Sequence, residues 1–184
     1  DMTRKTSQLE RQYLYFAKAE LLRHKNGKSE EVTELLLKAV HITLPQFDGK
    51  TPLYDNLLTF DEIMIINAIA VQYAENHKEE DSLKLGYWLK QYMEQRILDS
   101  RQKAAKYPVI VYDISNWLAL GQQYEQAYKV CNEGVAFCVK YGNLVMLPLL
   151  IYNKACSLAE LNRKDEAKKY FTQSVTLFEI MKLD

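Results

Sequence analysis

The sequence has few glycines and prolines. Six glycines and four prolines occur among its 184 residues, too few for a β-sandwich or another fold that needs many tight turns. Cysteine is also scarce. Cys131, Cys138 and Cys156 are odd in number, lack C-x-x-C spacing and lie in apolar helical patterns. We therefore expect three reduced thiols, with Cys156 the most accessible.

The chain also lacks an excess of charge of either sign. Its 24 acidic and 24 basic side chains balance, which argues against nucleic acid as a direct partner of this segment. No signal-peptide pattern opens the chain, and the longest apolar stretch, residues 144–152, is too short to span a bilayer. These absences predict a cytoplasmic protein without a membrane partner.

Residues that carry catalysis or hold metals are sparse. The three histidines, His24, His41 and His77, lie near separate turns or helix ends, and none is spaced with cysteine or carboxylate as metal ligands are. Walker, G-x-S-x-G and G-x-G-x-x-G motifs are absent. We expect no metal, no cofactor and no enzymatic activity.

The most informative feature that is present is an internal repeat. Residues 107–131 read YPVIVYDISNWLALGQQYEQAYKVC, and residues 147–171 read LPLLIYNKACSLAELNRKDEAKKYF. Without a gap, proline, tyrosine, leucine and alanine recur forty residues apart, at Pro108 and Pro148, Tyr112 and Tyr152, Leu118 and Leu158, and Ala127 and Ala167. A fixed period of this length is typical of helical repeat proteins.

Four helix-turn-helix units cover the chain as one repeat domain, residues 1–184. They span residues 5–43, 58–98, 104–140 and 144–182, and LPQFDGKTPLYDNL connects the first two. Apolar residues recur at helical spacing within each unit. Thr59 and Glu62 form a predicted capping box, and Pro108 and Pro148 fit the first turn of a helix. The sequence predicts an all-α protein.

Small residues recur twelve positions apart in three of the units: Ala70 and Ser82, Ser115 and Ala127, Ala155 and Ala167. They let the two helices of a hairpin approach closely, and the pattern resembles the tetratricopeptide repeat (TPR). The period of 40 to 45 residues exceeds that repeat's 34, Gly121 comes one position early, and Asn162 replaces the turn glycine. The resemblance implies a right-handed superhelix of stacked hairpins.

The first helices of TPR-like hairpins line a concave face that binds peptides or partner segments. The inner positions of the last three units are Asn67 and Val71, Tyr112 and Asn116, and Tyr152 and Cys156. Asparagine can pair with both backbone groups of an extended peptide, and tyrosine supplies contact area with a polar tip. The alternative is that the asparagines bridge neighbouring helices and the tyrosines pack.

Residues KYPVIVYDISNWL, YEQA and KYGNLVMLPLLIYNKACSLAELNRKDEAKKYF resemble the TPR-like C-terminal sensor domain of Gram-positive Xre-type helix-turn-helix transcriptional regulators, the Rgg/PlcR-like quorum-sensing group. The resemblance implies a domain that binds a short signalling peptide and forms a homodimer. It also implies that DNA is bound only through an N-terminal domain, which we expect to be absent here. Phe171, Val175, Phe178 and Met181 provide an apolar stripe for dimerisation, or pack within their own hairpin.

A different class of function remains open. A free-standing TPR scaffold would use the same surface to mediate protein–protein interaction. A scaffold that grips a C-terminal carboxylate needs lysine and arginine beside asparagine, whereas the corresponding positions are Val71, Tyr112 and Tyr152. This disfavours the carboxylate-binding variant of the scaffold hypothesis.

Overall fold

The computed structural model describes residues 2–182 and, for residues 7–182, their side chains. Within that range the chain folds into eight α-helices and no β-strand. In chain order they are α1 (Met2–His24), α2 (Ser29–His41), α3 (Phe60–Glu75), α4 (Glu79–Gln95), α5 (Ser100–Leu120), α6 (Tyr124–Tyr141), α7 (Met146–Glu160) and α8 (Lys164–Met181). The predicted all-α class is confirmed.

The chain divides into two compact units, residues 1–89 and 90–184, with the division inside α4. In the first unit α2 packs against both α1 and α3. The loop after α2 buries Phe47 against Trp88, with ring centroids 6.2 Å apart, and the Tyr73 hydroxyl donates to the Gly49 carbonyl at 3.1 Å. The predicted connection between the first two helix pairs is therefore a packed loop.

In the second unit, consecutive helices α5 to α8 pack against one another, and α5 also contacts α7. The small residues predicted to allow close approach are buried: Ser115, Ala127, Ala155 and Ala167 are each at most 2% exposed. Gly134 shows the tightest fit. A Cβ there would lie 2.8 Å from Val111 Cγ1 on α5 and 2.9 Å from Leu150 Cδ1 on α7.

Each helix pair turns through one residue in the left-handed conformation. These residues are Asn26, His77, Gln122 and Asn162, with φ between 54° and 61°. Asn162 takes the conformation that was predicted for it. Gly121 does not, since its φ is −78°, and Gln122 reverses the chain instead. The capping box is confirmed: Glu62 N donates to Thr59 Oγ1 at 3.2 Å, and Thr59 N donates to Glu62 Oε2 at 2.6 Å.

The position of Pro108 corrects a prediction. Pro148 lies in the first turn of α7, as expected, but α5 begins at Ser100, so Pro108 lies inside the helix. A proline there removes the amide that would bond to the Ala104 carbonyl. Asn143 Nδ2 donates to that carbonyl at 3.0 Å, while Asn143 Oδ1 accepts from Met146 N at 3.0 Å. One side chain compensates for the proline and caps α7.

Two tyrosines of this tyrosine-rich chain cover a buried cation, Lys154. The whole Lys154 residue is only 7% exposed. Its Nζ lies 3.8 Å from the ring centroid of Tyr170 and 5.5 Å from that of Tyr128. Such cation–π contacts compensate for the loss of hydration.

Overpacking Ala155 tests the close helix approach. Ala155→Leu adds three carbons where α7 meets its neighbours and should lower the free energy of unfolding by ~1–3 kcal/mol. Ala159→Leu, on an exposed position of the same helix, is the control and should change stability by less than about 0.5 kcal/mol. Thermal melts that do not distinguish the two variants would contradict the packing.

The cysteines should differ in reactivity. Cys131 and Cys138 are buried, and burial raises the pKa of each thiol to about 11, whereas Cys156 is half-buried. Because the thiolate is the reactive form, a maleimide at neutral pH should label Cys156 first and the other two only on unfolding. Peptide mapping of the labelled sites measures this order. A disulfide or bound zinc in native mass spectrometry would contradict the expectation of free thiols.

Candidate functional site

Four of the six predicted site residues lie close together in the second unit. Tyr112 and Asn116 project from α5, and Tyr152 and Cys156 from α7, one helical turn apart in each pair. Tyr152 is 48% exposed, and the other three are half-buried. Because α5 and α7 pack directly against each other, these side chains share one face of the unit.

The other two predicted residues lie on α3 in the first unit. Val71 is half-buried, but Asn67 is only 3% exposed. The Asn67 amide therefore does not lie on the surface of its unit. Contact of Asn67 and Val71 with a ligand stays a prediction.

Asn116 is held by a side chain that the sequence analysis did not select. Asn153, on α7, donates through Nδ2 to Ser115 Oγ at 2.9 Å and to Asn116 Oδ1 at 2.7 Å. The Ser115 hydroxyl donates to the Tyr112 carbonyl at 2.7 Å, so its oxygen is left to accept from Asn153. The sequence signal was weak, because the forty-residue repeat aligns Asn153 with Asp113.

These bonds determine the orientation of the Asn116 amide. Both hydrogens of Asn153 Nδ2 are used, one on each oxygen, so Asn116 must turn its oxygen toward Asn153. Its own NH2 group then points away from Asn153 and can donate elsewhere. Asn116 can thus offer two donors to a carbonyl of a bound molecule.

Tyr152 and Cys156 form a neutral polar pair. The thiolate that Cys156 forms at high pH raises the pKa of Tyr152 through its charge and through a hydrogen bond, and burial raises the pKa of Cys156. Both groups are therefore protonated at neutral pH. The Tyr152 ring also meets Phe171 of α8 edge to face, with centroids 5.5 Å apart. This contact restricts the orientation of the half-exposed Tyr152 ring.

A cavity of about 480 Å³ opens beside Asn116 and Cys156. Its remaining wall comes from the last turns of α5 and α7 and the first residue of α6: Ala119, Leu120, Tyr124, Ser157 and Glu160. The sequence analysis did not select Tyr124 and Glu160, which the structure places beside the predicted residues. The site combines an apolar wall, an oriented amide and one carboxylate, which suits binding rather than bond making.

Among the described residues, no group of histidine, cysteine, aspartate and glutamate side chains is arranged to hold a metal ion. None of the helices described is long and apolar enough to cross a membrane.

Comparison with solved structures shows the fold. The chain is similar to Bacillus thuringiensis PlcR, whose crystal structure is in complex with the peptide PapR7 and DNA. The TM-score is 0.62 at 16% identity, covering 99% of this chain and 69% of that one. It is also similar to a Podosopora anserina putative kinesin light chain with nearly identical TPR-like repeats. The TM-score is 0.65 at 15% identity, and the match covers 95% of this chain and 78% of that one. A variant of that protein gives a TM-score of 0.67, covering 95% and 77% of the two chains. The predicted TPR-like fold is confirmed.

Sequence comparison identifies the family. No match was found among curated protein sequences. The RNPP family C-terminal domain, however, matches residues 48–184, which include the second, third and fourth helix pairs and all six predicted site residues. The resemblance to the quorum-sensing regulator group is thereby confirmed, and the chain belongs to the RNPP family.

Proposed function

We propose that this chain is the ligand-sensing and dimerisation domain of a transcriptional regulator, and that it binds a short signalling peptide on the concave face of its repeats. DNA would be bound by a separate N-terminal domain, and the protein would work in the cytoplasm. No catalytic step is part of this function.

The observation that carries the proposal is the fixed amide of Asn116 beside an open cavity. An extended peptide presents a carbonyl at every residue, and a preoriented donor binds one without losing side-chain freedom on association. Tyr112 and Tyr152 flank this amide and would cover side chains of the peptide. The PlcR structure, determined with a peptide, and membership in the RNPP family support the same function.

The scaffold hypothesis is less well supported. Similarity to the kinesin light chain concerns the fold alone, at 15% identity. The RNPP match covers most of the chain and favours a regulator.

Dimerisation would use the apolar stripe of α8. Val175 is 52% exposed, whereas Phe178 and Met181 are half-buried. Phe171 contacts Tyr152 in its own unit, so the stripe is only partly used by the hairpin. An exposed apolar face on a helix favours self-association.

Truncating Asn116 tests peptide binding. The probe is a heptapeptide selected from a random library on the wild-type protein. Asn116→Ala removes up to two hydrogen bonds, each worth ~0.5–1.5 kcal/mol, so affinity should fall roughly five- to a hundredfold. Calorimetry measures the change, and melting curves check that the variant folds. Asn132→Ala, on α6 and outside the cavity wall, should bind as the wild type does. If Asn116→Ala binds the peptide as tightly as the wild type, or does not fold, Asn116 has a structural role and is not a peptide ligand.

Self-association is tested by sedimentation velocity. The wild type should sediment as a dimer, and Val175→Glu should shift it toward monomer because a carboxylate would be buried without a partner. Gln173→Glu places the same charge on a neighbouring exposed position of α8 and should leave the dimer intact. A wild-type monomer at high concentration would exclude dimerisation through this domain.

A further inference from the structure

The cavity beside Asn116 has a marked electrostatic character. Its lining includes a single charged side chain, Glu160, which is exposed at the end of α7. The Glu160 charge contributes to raising the pKa of Cys156, after the larger effect of burial. The carboxylate therefore acts on the interior of the cavity as well as on solvent.

Two helix ends add to this negative potential. The cavity is walled by the last turn of α5, which ends at Leu120, and by the last turn of α7, which ends at Glu160. The C-terminus of a helix carries a partial negative charge. In both helices the charge comes from the helix dipole, since the carbonyls of residues 117–119 and 157–159 accept hydrogen bonds from the amides of the following turns. Neither last turn contains a basic residue that would neutralise it. A cation is thus favoured here by the backbone as well as by Glu160.

The surrounding side chains leave this potential uncompensated. Arg163 binds Glu166 through two bonds of 2.7 and 2.9 Å, and Lys154 is enclosed by tyrosine rings. The positive end of α6 begins at Tyr124, but Glu125 in its first turn opposes it. Among residues 7–182, no ion pair engages Glu160. The Tyr124 ring adds an aromatic wall of the kind that attracts cations.

We propose that this cavity is a cation subsite, which receives a positively charged group of the bound peptide with Glu160 as its counter-ion. The group is a lysine or arginine side chain or the free α-amino group, and Asn116 donates to a carbonyl next to it. This inference rests on the proposed peptide-binding function and adds the charge of the ligand.

The test uses a random heptapeptide library with free N-termini and the same library acetylated. Each is passed over immobilised wild-type chain, and retained peptides are counted by mass spectrometry. If a side chain provides the charge, we expect the retained peptides to be enriched in lysine or arginine. If the free α-amino group provides it, acetylation should abolish retention. In Glu160→Gln the preference should fall by about two- to fivefold, the effect of one exposed charge. Glu179→Gln, on α8 outside the cavity, should keep the wild-type preference.

The outcomes separate this inference from the proposed function. Retained peptides without a preference for positive charge would overturn the cation subsite and leave peptide binding standing. A preference that persists in Glu160→Gln, with an unchanged melting curve, would overturn Glu160 as the counter-ion. Retention of no peptide from either library would overturn both proposals.

Discussion

The second unit depends on the absence of a side chain at Gly134. A Cβ atom there would lie 2.8 Å from Val111 Cγ1 and 2.9 Å from Leu150 Cδ1, so glycine lets α6 settle between α5 and α7 without displacing these side chains. Because α6 sits so deep, α5 and α7 can touch each other as well. Without that contact, Asn153 on α7 would not reach Ser115 and Asn116 on α5.

Hydrogen bonds of polar side chains then fix the position of α7 and of the turn before it along α5. Asn143 supplies the hydrogen bond that Pro108 withholds and caps the next helix, while Asn153 bonds to two residues of α5. Buried polar groups are costly when a partner is lost, so sliding either helix by one turn would leave several of them unsatisfied. Asn153 also orients the Asn116 amide beside the cavity.

The site differs from a catalytic centre in its electrostatics. Burial and neighbouring groups keep Tyr152 and Cys156 protonated, and Glu160 is the charged residue of the cavity wall. A surface of oriented donors, aromatic rings and one carboxylate is suited to reading a ligand, in keeping with the RNPP family.

Local sequence was sufficient for the helices, their turns and their close contacts. Apolar spacing, the Thr59 capping box and small residues twelve positions apart are properties of neighbouring residues, and these predictions agree with the structure. Tyr112, Asn116, Tyr152 and Cys156 came together because a forty-residue repeat places equivalent positions on equivalent faces. Tertiary structure decided the rest. Pro108 is tolerated inside α5 because Asn143, 35 residues later, binds the freed carbonyl. Asn153 and Glu160 join the site only through the packing of α7 against α5, and Asn67 is buried by its neighbours. No local pattern encodes such contacts between distant residues.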